Sequence, residues 1–88
     1  MNMDQIKRVY DYIEHIKQST LDETEQISDD FSDIFELRNE NQDIDELIYV
    51  KLRLSAIKNE SLLLKKEKQT LTDRLYELEK KIFAEIEG

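Results

Sequence analysis

Cysteine, proline and tryptophan are absent from the 88 residues, and the one glycine is Gly88. The missing cysteines exclude disulfides, a thiolate metal site and a cysteine nucleophile. Without proline, and with glycine only at the last position, nothing supplies the tight turns of a sheet protein or a phosphate-cradling loop. Long apolar runs are missing as well. The longest wholly aliphatic stretch is Leu62-Leu63-Leu64, against roughly 20 residues for a membrane span. Residues 1–5 have no basic start and lead into no apolar core, so neither a secretory signal nor membrane contact is expected, and the expected location is cytoplasmic. A single domain over 1–88 is expected, so small that regular packing or partner chains must help to hold it.

Charge is what the chain has in quantity: 39% of residues are charged, and the net charge is −8. Residues 1–20 sum to zero, and residues 47–88 carry nine bases and seven acids. Residues 21–46 carry eleven acids against Arg38 alone. The acidic surface expected here comprises Asp22, Glu23, Glu25, Asp29, Asp30, Asp33 and Glu36. Ile27, Phe31, Ile34, Phe35 and Leu37 are interleaved with these acids at helical spacing, which argues against a disordered tail. The acids can lie against the chain's own basic stretch, face a basic partner or imitate phosphates, or only confer solubility.

From Ile44 onward a heptad runs almost without interruption. Its a/d series is Ile44, Leu47, Val50, Leu54, Ile57, Ser61, Leu64, Lys68, Leu71, Leu75, Leu78, Ile82 and Glu85, ten of thirteen apolar. This predicts one helix over about 44–87 with a coiled-coil seam. Asp43 is the expected N-cap. Ser61 and Lys68 interrupt the seam; Lys68 can snorkel to Glu14 or Glu67, and polar a positions can fix register. Additional apolar residues at Ile48, Leu62, Leu63, Tyr76 and Phe83 suggest that more than one neighbour packs on this helix.

Upstream, Met3, Ile6, Val9, Tyr10, Ile13 and Ile16 form an amphipathic stripe. A first helix over about 4–38 is expected, continuous or slightly kinked. The alternative is a break near 19–24, where Thr20 and Glu23 have capping-box spacing. The polar run 39–43 is the expected turn. The fold class is therefore all-α: an antiparallel helical hairpin with coiled-coil packing, self-associating into a bundle. A bend near residue 41 would set Ile34 against Ile48, Asp29 and Asp30 near Lys51 and Arg53, Glu25 near Lys58, Glu14 near Lys68, and Lys7 and Arg8 near Asp73 and Glu77. It would also leave Leu78, Ile82, Phe83 and Ile86 without a neighbour in the same chain, an apolar overhang that a second copy or another protein would cover.

Chemistry-bearing patterns are few. His15 is the only histidine, so a zinc site within one chain is not expected, and no paired Glu-x-x-His motif exists for a di-iron bundle. Asn39, Asn41, Asp43 and Asp45 alternate like a calcium loop, yet the sixth and twelfth positions are Ile44 and Val50 instead of Gly and Glu. No cofactor or metal is expected, and no catalytic residue is assigned. Tyr10, Tyr12, Tyr49 and Tyr76 could stack on bases, but the acidic balance favours packing or interface roles.

The expected function is non-catalytic protein binding, as an adaptor, assembly factor or small regulator, by a homodimer or higher oligomer with a protein partner of unknown identity. One alternative is a phage-encoded acidic inhibitor that imitates nucleic acid and occupies a basic groove of a host protein. Another is nucleic-acid binding through Lys51–Lys68.

Overall fold

The computed structural model describes residues 1–18, 29–58 and 60–87, and the regular structure among them is helical. Among the described residues these helices are α1 (Met3–Gln18), α2 (Ser32–Glu40), α3 (Gln42–Ala56) and α4 (Leu62–Glu87). No helix among the described residues is long and apolar enough to cross a membrane.

Short polar side chains set the boundaries. Ahead of α1, the Asn2 N–H donates to Gln5 Oε1 at 2.9 Å while the Gln5 N–H donates to Asn2 Oδ1 at 3.0 Å, a reciprocal capping box. Asn41 closes one helix and opens the next. Its N–H donates to the Leu37 carbonyl at 2.8 Å, and its Oδ1 accepts from the Asp43 and Ile44 N–H groups at 3.1 and 3.3 Å. The turn expected over 39–43 is thus compressed to a single extended residue, at φ −129° and ψ 102°. Asp43 is not the cap; it sits in the first turn of α3, where the helix dipole favours its charge.

The helix expected over 44–87 is two helices. Ile57 leaves α3 in an extended conformation, and Ser61 starts α4, its Oγ accepting from the Leu64 N–H at 3.2 Å. Three ion pairs then run in opposite order along α3 and α4: Arg53–Glu67 at 2.7 Å, Glu46–Arg74 at 2.6 Å and Asp43–Lys81 at 3.0 Å. The pair is therefore antiparallel, and Lys51 reaches diagonally along it to Glu79 at 3.3 Å.

The helix expected over 4–38 is also not continuous. Arg8 and Asp33 meet at 2.8 Å, whereas 25 residues of straight helix would hold them about 37 Å apart. Helices α1 and α2 are therefore not parts of one straight helix; the proposed break near 19–24 and the Thr20–Glu23 capping box lie outside the described residues. The expected register holds near the bend, where Ile34 and Ile48 are both buried and Arg38 pairs with Asp45 at 2.7 Å. Farther out it fails, because the bases have other partners. Arg8 takes Asp33, Lys51 takes Glu79, Arg53 takes Glu67, and Glu14 takes Lys17.

Helix α3 is the hub, packing against α1, α2 and α4. The core combines Ile6, Val9, Tyr12 and Ile13 of α1 with Phe31 and Ile34, then Ile44, Leu47, Ile48 and Val50 of α3, and Leu78 and Ile82 of α4. Ile48 is fully buried because α3 has neighbours on more than one side, as its position outside the a/d seam suggested. The molecule is thin, with principal extents of 39 × 38 × 17 Å.

Candidate functional site

The four residues expected to form an apolar overhang are covered by their own chain. Leu78 and Ile82 are each 1% exposed, and Phe83 and Ile86 are partly buried against the same core. The fold-back at 57–61 explains the difference, since it returns α4 along α3 and brings its second half to the core. Self-association has no motive in these residues.

The ion pairs that fix this arrangement are geometrically tight but exposed. Arg74 holds Glu46 with both carboxylate oxygens, at 2.7 and 2.6 Å, and reaches Glu77 at 3.3 Å. Arg53 holds Glu67 in the same forked manner. Hydrogen bonds from Arg8, Arg74 and Arg53 hold the Asp33, Glu46 and Glu67 carboxyls below the usual carboxylate range. Solvent screens these exposed pairs, so together they fix register more than they supply stability.

Of the expected acidic surface, Asp22, Glu23 and Glu25 lie outside the described residues. Asp29, Asp30, Asp33 and Glu36 are exposed. Asp33 is engaged by Arg8, and the Asp30 carbonyl accepts from the same guanidinium at 2.7 Å. In α2, Asp33, Glu36 and Glu40 recur at helical spacing and form one acidic face.

The tyrosines divide. Tyr12 is buried and makes edge contacts with Phe31 and Phe35 at 5.6 and 5.7 Å, while its hydroxyl accepts from Arg38 at 3.0 Å. Tyr10 is half-buried beneath the Lys51 ammonium, 5.0 Å from the ring. Burial, with the nearby Glu79 carboxylate, pushes its phenol up to about 12. Tyr49 and Tyr76 are 60% and 69% exposed. His15 lies over Phe31 at 5.1 Å on the surface.

An open cleft of about 510 Å³ is lined by Gln42, Asp43, Asp45, Glu46, Tyr49 and Arg74. Its guanidinium is already occupied by Glu46 and Glu77. Asn41 and Asp45 of the calcium-like run serve as cap and as partner of Arg38. No group of three or more metal-ligating side chains occurs among the described residues.

Sequence reasoning missed one surface. Leu62 and Leu63, expected beside the heptad seam as contacts for a further neighbour, stand 69% and 75% exposed at the apex of the α3–α4 pair. Lys58, Lys65, Lys66 and Lys68 flank them in the sequence, all exposed, with one exposed acid, Glu60, among them, and Lys68 does not reach Glu14 or Glu67. Within the basic stretch considered for nucleic acid, Lys51 and Arg53 are committed to Glu79 and Glu67. The polar run from Lys58 to Ser61 was the available signal for an apex there. No family model matches the chain, and neither curated proteins nor solved structures give a match.

Proposed function

We propose that this chain is a non-catalytic protein–protein interaction module, able to bind other proteins and further copies of itself through exposed helical surfaces. One observation carries this: the chain closes its own apolar core, yet leaves two adjacent leucines in water among lysines. Adjacent exposed leucines on an otherwise charged surface are suited to contact with another chain. The test is affinity capture with the wild-type chain and with a Leu62→Asp, Leu63→Asp variant of unchanged helicity. A defined protein retained by the wild type and lost by the variant supports the proposal. Identical capture profiles, or none above background, refute it.

The acidic inhibitor is a second reading, supported by the exposed Glu36 and Glu40 beside Asp33 on one face of α2. Capture of a nucleic-acid-binding protein, with release by competing DNA or RNA, would select it over the first. The commitment of Asp33 to Arg8 counts against it.

A further inference from the structure

Seven of the thirteen bases are held in ion pairs: Arg8, Lys17, Arg38, Lys51, Arg53, Arg74 and Lys81. Of the six that pair with no described residue, four fall between Lys58 and Lys68, around Leu62 and Leu63. On α4, Leu62, Lys65 and Lys66 lie one turn apart and share an outward face. This chain of net charge −8 therefore presents a local cationic, apolar apex.

Two classes of anionic partner fit poorly. An extended lipid surface would meet the whole molecule, whose net charge opposes approach to an anionic plane. A nucleic-acid backbone would find lysines here but no use for two leucines. A narrow acidic helix with an apolar edge meets only the apex. Helix α2 is such a surface: Glu36 and Glu40 are exposed and pair with no described residue, and partly buried Leu37 borders Glu40 one turn away.

We propose that the apex formed by Leu62, Leu63, Lys65 and Lys66 docks on the acidic outer face of α2, at Glu36 and Glu40, of a second copy of this chain. This rests on the interaction-module proposal and names the partner. Contact between two different patches is heterologous, so it closes into a symmetric dimer only if each copy's apex reaches the other's α2; otherwise it extends head to tail.

The test is sedimentation velocity of the full chain at about 0.1 M and about 1 M salt, where Debye lengths are about 10 and 3 Å, so that at the lower salt the net charge of −8 on each copy is screened across the molecule while the close apex contact is not. The wild type should show a larger species at low salt that disappears at high salt. A Lys65→Glu, Lys66→Glu variant and a Glu36→Lys, Glu40→Lys variant should each be monomeric at both salts with wild-type helicity. Mixed together, they should regain the larger species, because each supplies what the other lacks. A monomeric wild type at low salt, a variant that still associates, or a mixture that stays monomeric would overturn the proposal. Flotation with phosphatidylserine vesicles that depends on Lys65 and Lys66 would also overturn it, assigning the apex to lipid. If the second-copy contact fails while protein capture still depends on Leu62 and Leu63, only the choice of partner is wrong.

Discussion

Replacing Ile82 with alanine tests where the second half of α4 finds its cover. Ile82 is 1% exposed and belongs to a core shared with α1, α2 and α3. Alanine removes three side-chain carbons, about 2.4 kcal/mol at ~0.8 kcal/mol each. The cavity left behind raises the cost within the range of about 2–5 kcal/mol seen for such truncations. A chain of this length is stable by only about 4–13 kcal/mol. At about 4–8 °C per kcal/mol, the melting temperature should fall by at least roughly 10 °C, and by up to about 40 °C if the cavity does not collapse. Leu62→Ala, at a position 69% exposed, should change stability by no more than about 0.5 kcal/mol. Thermal melts followed by circular dichroism at several protein concentrations read both effects. Because the cover is intramolecular, the Ile82 loss should not depend on concentration. An Ile82→Ala melt that superimposes on the wild type, with a smaller sedimenting species, would refute the reasoning and place Ile82 between chains.

Other expectations follow from the same contacts. Asn41→Ala removes the side-chain acceptor for two N–H groups of α3 and should cost about 0.5–2 kcal/mol in denaturant unfolding, without loss of helix number. Asp33, Glu46 and Glu67 have depressed folded pKa values, so their contribution is present above the ordinary carboxylate pKa and is lost as pH falls through the folded values. Melting temperature should therefore hold near neutrality and decline below about pH 4, and an Arg74→Met variant should decline less steeply. Tyr10 has its folded pKa raised to about 12. Its contribution is complete below the unfolded value of about 10 and is lost as pH rises through the folded one. The wild type should lose stability over that window more steeply than Tyr10→Phe, as read by melts across alkaline pH.

Periodicity carried the helical class and the core faces well. Ile44, Leu47, Val50, Leu78 and Ile82 are inward in the heptad and buried in the molecule. It could not locate the apex, because the phase of the apolar stripe passes unchanged through 57–61. Leu54 and Leu64 are partly buried on either side of it. Ser61 looks the same in a heptad whether it interrupts a seam or caps a new helix; its hydrogen bond to Leu64 settles which. Without the apex, the heptad makes the chain too long for its partner helix, and Leu78 to Ile86 become an overhang. The same omission conceals Leu62 and Leu63, which a continuous helix would partly cover. Asn41 was legible because two asparagines in a polar run have a turn chemistry of their own. The capping box of Asn2 and Gln5 has the spacing of a known signal but uses Asn and Gln where Ser or Thr with Glu is more usual.

The antiparallel return of α4 along α3 underlies both the closed core and the exposed apex, and a distance across it tests it directly. Cysteines placed at Glu46 and Arg74 are the only thiols in the chain, and spin labels on them can be measured by pulsed dipolar spectroscopy, diluted with unlabelled protein to remove signals between chains. The two side chains are in contact at 2.6 Å, so the labels should report a short distance that dilution does not change. A distance near 42 Å, the span of 28 residues of unbroken helix at about 1.5 Å each, or a short distance abolished by dilution, would contradict the fold-back.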